Sequence, residues 1–301
     1  MAPAVTVVGS LNLDLIVSVD RLPGRGETVV AAASATGPGG KGANQAAAAG
    51  ALSPDVAMVG RVGADEAGAR LRSDLADRGV DVVDVLEVVG VPTGHATVAV
   101  EAAGGENLIV VAPGANHALS PADVDVAAVR EARVLLAQLE VPLAVVEAAV
   151  AAARGAVVLN PAPPRPLPAA LLAAVDVLVP NEWELAALAG VPAVETLTTS
   201  ELAALARRVT ARDVVVTMGG RGALVVPADS GEPVVIAPPA VTPVDTTGAG
   251  DCFCGALCVG LAAGLPLVDA ARYAVTAAAI STTAAGARGC LPDDAAVRGL
   301  L

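Results

Sequence analysis

Short strand-like apolar runs alternate with helix-patterned stretches almost from end to end of this chain, and that alternation limits the folds open to it. The strand-like runs are Val5–Val8, Val56–Val59, Val134–Leu139, Ala156–Leu159, Val177–Val179, Val214–Thr217 and Ala223–Val226. Helices are predicted over Ala43–Leu52, Glu66–Arg78, Val145–Ala153, Glu182–Leu188, Glu201–Val209, Asp251–Ala263 and Leu267–Ala284. Such a rhythm predicts an α/β domain with a mostly parallel central sheet flanked by helices. With no repeat or linker in view, residues 1–301 are expected to form one domain. Two segments break the rhythm. Leu13 to Ala35 and His95 to Val111 read as extended pairs, the second turning at Gly104-Gly105. They are expected to form a small β-sheet lid, discontinuous in sequence, over about 14–36 and 95–112. An exposed sheet of that kind needs covering, and a homodimer through the lid is the expected solution.

The formal net charge of −13 argues against nucleic acid and anionic membranes as partners. The longest uncharged run, Cys252 to Val268, is broken by Gly255, Gly260, Gly264 and Pro266, and reads as a buried helix rather than a membrane span. No basic segment precedes an apolar stretch at the N-terminus, so a cytoplasmic protein is expected. Cys252, Cys254, Cys258 and Cys290 form no CxxC pair and have no histidine cluster nearby, which predicts neither a thiolate metal site nor a disulfide. His95 and His117 are expected at the surface.

One bias in composition points to chemistry. Of the 18 basic residues only Lys41 is a lysine, which marks a place needing a compact ammonium rather than a planar fork. It stands in Gly37-Pro38-Gly39-Gly40-Lys41-Gly42-Ala43-Asn44-Gln45, a loop that formally matches GxGxxG. The following strand ends Met58-Val59-Gly60 without the acid that would grip a ribose, and Gly42 follows the lysine where a P-loop requires Ser or Thr. What remains is a loop that lets a polar ligand approach the backbone, with Lys41 and Asn44 as donors. Acceptors follow strand ends, where α/β sheets place ligands: Asn12 and Asp14 after the first, Glu140 after the third.

The second constellation is Val244-Asp245-Thr246-Thr247-Gly248-Ala249-Gly250-Asp251, a glycine turn feeding a helix. Amides of Gly248, Ala249 and Gly250 are expected to lack intrahelical partners and to form an anion site. Asp251 either caps that helix or takes a proton from an acceptor hydroxyl while the amides hold a phosphoryl group. Asn181-Glu182-Trp183-Glu184 opens another helix, as a cap or as a holder of water-bound Mg²⁺. Thr217-Met218-Gly219-Gly220-Arg221-Gly222 is a tight turn, either a plain hairpin or a backbone contact for a nucleotide.

Taken in order, these motifs and Asn160-Pro161-Ala162-Pro163 resemble the ribokinase-like, phosphofructokinase-B-type carbohydrate kinase family over essentially the whole chain. The resemblance implies a Rossmann-like sheet and ATP-dependent phosphorylation of D-ribose at O5. It implies a sugar site of Asn12, Asp14, Gly40, Lys41, Asn44 and Glu140, with Asp251 as base and Gly248, Ala249 and Gly250 as anion hole. Asn181, Thr217, Gly219, Gly220, Gly222 and Gly250 would line the ATP site, and Glu184 would organise Mg²⁺ through water. Asp245 and Thr247, with Ser281, Ala284, Gly286 and Cys290, would hold an activating monovalent cation, K⁺. Cys290 stands where a Ser oxygen often helps bind that cation, and Val275 where Asn often approaches adenine. Another sugar kinase, a nucleoside kinase and a non-catalytic sugar- or nucleotide-binding protein are the competing readings. Aromatics at 1% argue against a stacked purine acceptor.

Overall fold

The computed structural model describes residues 2–101, 107–192, 197–228 and 231–301. In chain order the first strands are β1 (Val5–Val8), β2 (Asn12–Val19), β3 (Ala33–Gly39), β4 (Val56–Gly63), β5 (Val80–Asp81), β6 (Val85–Val88), β7 (Gly94–Glu101) and β8 (Asn107–Ala112). There follow β9 (Val134–Ala137), β10 (Ala156–Leu159), β11 (Val177–Leu178), β12 (Asp213–Thr217), β13 (Ala223–Val226) and β14 (Val234–Ile236). The helices are α1 (Lys41–Leu52), α2 (Glu66–Asp77), α3 (Ala127–Glu131), α4 (Leu143–Ala152), α5 (Ala169–Ala174), α6 (Glu182–Leu188), α7 (Thr199–Val209), α8 (Ala249–Ala262), α9 (Leu267–Ser281) and α10 (Asp294–Arg298).

The large sheet runs β14-β13-β12-β11-β10-β9-β1-β4-β5, with β6 also on β4. From β5 to β12 every pairing is parallel, with Val5–Val8 of β1 opposite β4 on one side and β9 on the other. The direction reverses only at β13 and β14. There the connection is the tight Thr217–Gly222 turn, and only antiparallel strands can be joined so briefly. The small sheet is β3-β2-β7-β8. The Gly104-Gly105 turn lies outside the described residues.

Successive residues of a strand face opposite sides of its sheet. Val5 and Val7 accordingly enter one apolar cluster with α1, α8 and α9, and Val8 enters the other with α4 and α7. Alanine and glycine dominate the first layer, and the helices close on one another as a result. A Cβ added at Gly255 of α8 would lie 2.6 Å from the Gln45 carbonyl of α1. That approach presses Asn44 and Gln45 against the first turn of α8. Cys252, Cys254 and Cys258 are buried in the same layer, while His95 and His117 are exposed. Among the described residues, no helix is long and apolar enough to cross a membrane.

Element ends moved where local chemistry intervened. Helix α8 starts at Ala249, not at Asp251, because Gly248 takes the left-handed backbone (φ 76°) that turns the chain into the helix. Helix α9 ends at Ser281 rather than Ala284. The hydroxyls of Thr282 and Thr283 fold back on the carbonyls of Ala279 and Ile280, competing with further helical turns. Strand β9 stops at Ala137, and Gln138 turns its amide into a buried polar network.

Candidate active site

The site is built where β1, β9, β10 and β11 end and where α1 and α8 begin. Gly40 carries φ 83°, and a Cβ there would sit 2.8 Å from the Asn12 nitrogen. Only glycine lets the loop fold back this tightly. Lys41 therefore enters as the first residue of α1, with its backbone N–H donating to Glu140 Oε2 at 3.0 Å. Ser10 Oγ donates to the same oxygen at 2.5 Å. Asn12 is 3% exposed, its Oδ1 accepting from Asn116 Nδ2 at 2.7 Å. Asp14 is half-buried, and its Oδ1 has no hydrogen-bond partner. Burial first, then the neighbouring Glu140, pushes its pKa up to about 6.

Asp251 is held from α1. Its Oδ2 accepts from Asn44 Nδ2 at 3.0 Å and its Oδ1 from Gln45 Nε2 at 3.1 Å. Gln45 also donates to Asn160 Oδ1 at 3.1 Å and accepts from Gln138 Nε2 at 2.5 Å. Burial raises the Asp251 pKa, and Lys41, Asn44 and Gln45 only partly oppose it. Lys41 feels the converse. Burial works against its charge, but Asp251, Glu140 and Glu184 outweigh it, and its pKa is raised. A carboxylate and a lone ammonium thus face one cleft of about 140 Å³, lined also by Asn160, Asn181, Glu184, Thr217, Gly248 and Gly250.

The glycine turn departs from the three-amide expectation. Ala249 N–H donates to the Thr246 carbonyl at 3.2 Å, so the amides of this turn left without an acceptor among the described residues are those of Gly248 and Gly250. Glu184 does line the cleft, yet both its carboxylate oxygens cap α6, accepting from Asn181 N at 2.8 Å and Asn181 Nδ2 at 3.0 Å. Both the cap and a place in the cleft are realised at once. Asn181 bridges to Thr217, which puts those two side by side. Gly219 and Gly220 follow on the exposed turn. Gly222 is buried, and a Cβ there would meet the Ile236 carbonyl at 1.9 Å, so packing alone requires that glycine.

Asp245 and Thr247 meet the loop after α9. Asp245 Oδ1 accepts from Thr247 N at 2.9 Å and Oδ2 from Gly286 N at 2.7 Å, while Cys290 Sγ lies 3.4 Å from Thr283 Oγ1, whose proton goes to the Ile280 carbonyl at 2.8 Å. Ser281 spends its hydroxyl on the Ala278 carbonyl at 2.8 Å, leaving its own carbonyl as the group to consider beside that of Ala284. Among the described residues no three His, Cys, Asp or Glu side chains cluster as a metal site.

Ser10, Gln45, Asn116 and Arg288 complete the site and were not foreseen from sequence. Gln45 stood inside the glycine-loop motif, whereas Asn116 belonged to no motif. Ser10 and Arg288 carried no local signal.

This geometry agrees with what the chain is similar to. The model of the pfkB family carbohydrate kinases matches residues 2–294. The ribokinase of Bacillus subtilis is 37% identical, over 99% of this chain and 99% of the relative. A deoxyribokinase of Salmonella typhi is 36% identical, over 96% and 95%. The structure of Arabidopsis thaliana ribokinase complexed with ribose and ATP superposes with a TM-score of 0.87 at 36% identity, covering 100% of this chain and 99% of that one. A cleft with carboxylate, ammonium and free amides at the ends of parallel strands, in a chain so matched, belongs to a member of the pfkB family of carbohydrate kinases.

Proposed function

We propose that this chain transfers the terminal phosphoryl group of ATP to O5 of D-ribose, giving ribose 5-phosphate and ADP. The observation that carries this reading is the Asp251 carboxylate, its pKa raised by burial, on the wall of the same cleft as Lys41 and the free amides of Gly248 and Gly250. A carboxylate beside an incoming phosphate is repulsive unless it accepts a proton during the reaction. Asp251 takes that proton from the 5-hydroxyl as the oxygen attacks phosphorus. The bond to the departing ADP oxygen breaks, and charge on the moving group is met by the turn amides and Lys41. The Ala249 amide joins them only on giving up Thr246.

Asn12, Asp14, Gly40, Lys41, Asn44 and Glu140 surround the sugar in this reading. The orphaned Oδ1 of Asp14 supports it, since a buried acceptor without a donor asks for a ligand hydroxyl. Asn181, Thr217, Gly219, Gly220 and Gly222 lie along the ATP side. Glu184 would hold Mg²⁺ through water, supplying charge neutralisation on the phosphates. Asp245, with Thr247, Ser281, Ala284, Gly286 and Cys290, would hold K⁺. Strand β2 exposes both Leu15 and Ile16, which face opposite sides of the small sheet. One apolar face is thus available to close over the sugar as a lid and the other to pair with a second copy as a homodimer. ATP as donor fits a cytoplasmic enzyme.

Ribose against deoxyribose is the open choice, because a deoxyribokinase matches almost as well as a ribokinase. ADP release should be followed with ribose, deoxyribose, fructose and adenosine at equal concentrations. Ribose should give the highest kcat/KM. A preference for deoxyribose moves the reading to the neighbouring activity, and turnover of adenosine alone, or of none of the four, removes it.

A further inference from the structure

Arg288 is buried in the loop after α9, and its guanidinium spans three segments distant in sequence. One nitrogen pairs with Asp74 of α2, Nη2 donates to the Gly39 carbonyl at 3.4 Å, and Nε donates to Asn44 Oδ1 at 2.9 Å. The last bond has a consequence for Asp251. A primary amide presents an acceptor on one side and a donor on the other. With Oδ1 taken by Arg288, Asn44 can offer only its NH₂ group to Asp251, as it does at 3.0 Å. The flipped amide would set oxygen against carboxylate and NH₂ against guanidinium, replacing two charge-assisted bonds by two repulsions.

We propose that Arg288 is a positioning residue of the sugar site, fixing the direction of the Asn44 amide toward Asp251 and the substrate hydroxyl. It also ties the Gly39–Asn44 loop to the loop whose Gly286 holds Asp245. The inference rests on the sugar-kinase reading for the meaning of that direction. The restraint on Asn44 stands on geometry alone.

The test uses Arg288→Lys, Arg288→Gln, Asn44→Ala and the double variant Asn44→Ala/Arg288→Gln. Lysine keeps the buried charge and the Asp74 pair but has no planar fork, so Arg288→Lys should keep its thermal midpoint and still lose the alignment. A lost hydrogen bond to a charged partner corresponds to a rise of roughly 10-fold or more in the sugar KM, with the ATP KM staying within about twofold. If Arg288 acts through Asn44, the double variant should be no worse than Asn44→Ala. Additive losses, equal rises in both KM values, or full rescue by lysine would overturn the role. The Asn44 side-chain amide NMR signals, assigned by their loss in Asn44→Ala, need no substrate. They should form one sharp pair in the parent and broaden or shift in Arg288→Lys. Unchanged signals would defeat the restraint itself, whereas a parent chain with no sugar turnover and the expected signals would defeat only the functional reading.

Discussion

Asp245 and Asp251 flank one glycine turn, and the molecule treats these two identical side chains in opposite ways. On the Asp245 side burial works against the charge, but the Gly286 amide and the hydroxyl and amide of Thr247 outweigh it and hold the pKa below the usual range. On the Asp251 side burial wins and the pKa is raised, because the nearby Lys41 charge and the hydrogen bonds from the two neutral side-chain amides of Asn44 and Gln45 only partly offset it. Backbone amides are fixed by the fold and stabilise only the ionised form. A carboxylate held that way is an anchor or a cation ligand. One surrounded by low-dielectric packing gains from taking up a proton, which suits a general base. Residue type does not set these opposite shifts; the surroundings on the two sides of Gly248 do.

The comparison breaks most visibly at Asp251. Asp251→Asn keeps the size of the side chain and one of its two accepted hydrogen bonds, its new NH₂ group facing an NH₂ donor of Asn44 or Gln45, but cannot accept the substrate proton. We expect kcat to fall roughly 10²–10⁴-fold, the scale of a lost general base, with sugar binding measured by calorimetry close to the parent. The folded state should also gain stability, because an acid whose folded pKa is raised destabilises the fold at neutral pH. Near-parental turnover would leave Asp251 with the structural role of tying α8 to Asn44 and Gln45 of α1.

Asp14 extends the raised side of the comparison to the sugar loop. Its folded pKa of about 6 lies above the ordinary 3.8, so the folded state takes up a proton before the unfolded one as pH falls through 6. That proton relieves the fold while removing an acceptor for a sugar hydroxyl. The sugar KM should therefore rise below pH 6 by up to about tenfold per pH unit, the limit for one proton. Binding at pH 6 should release protons, visible as a calorimetric enthalpy that changes with the buffer. A flat KM from pH 7 to 5 would mean that Asp14 does not contact the substrate in its charged form.

How much of this was legible in the sequence follows from how local each cause is. Gly40 and Gly248 were readable because a left-handed residue at a helix start is a requirement of the chain within a few positions of itself. The strands of the large sheet were readable because both faces are buried and their residues nearly all apolar. Short β5, β6 and β14 were not, since at the sheet's margins they leave Asp81, Leu86, Glu87 and Val235 exposed and lack the fully buried apolar run of the central strands. The site behaved the same way. Asp251 and Lys41 stood in motifs, but Ser10 meets Glu140 across 130 positions and Arg288 meets Asn44 across 244. Gln45 was visible as part of a motif, while its contact with Asp251, 206 positions away, exists only because Gly255 lets α8 approach α1. The bond between Ala249 and Thr246, close in sequence, was hidden for a different reason: a turn and a free helix end share one glycine signature.

On the other flank, Asp245→Asn should act on the fold first. The ionised carboxylate contributes stability above its unfolded pKa and loses it as pH falls through the lower folded value. The amide substitution removes the charge at every pH. At pH 7 we expect a loss of about 1–2 kcal/mol, the worth of hydrogen bonds to a charged group that is partly open to solvent. The thermal midpoint should drop by a few degrees, and the gap between variant and parent should narrow as pH falls below the ordinary carboxylate range. An unchanged midpoint at pH 7 would show that the Gly286 and Thr247 amides are satisfied equally by a neutral side chain, and the contrast between the flanks would narrow to Asp251 alone.

The smallest effect sharpens what the Asp245 flank is for. The Cys290 sulfur lies 3.4 Å from the Thr283 hydroxyl oxygen, so a soft, weakly accepting atom occupies a position beside the loop that meets Asp245. An oxygen there would be a harder ligand for an alkali cation than a thiol. Cys290→Ser is isosteric apart from the shorter bond to oxygen, and Cys290 is only partly buried, so the fold should tolerate it. If K⁺ sits against Asp245, the half-activating K⁺ concentration should fall by about 2–5-fold in Cys290→Ser, equivalent to roughly 0.5–1 kcal/mol for one added weak contact. Maximal activity should barely change, because the cation does not touch the reacting atoms. A response to K⁺ that is flat in both parent and variant would leave Asp245 as a fold anchor without a cation. A response present in the parent and unaltered by serine would place the ion among the backbone carbonyls, out of reach of residue 290.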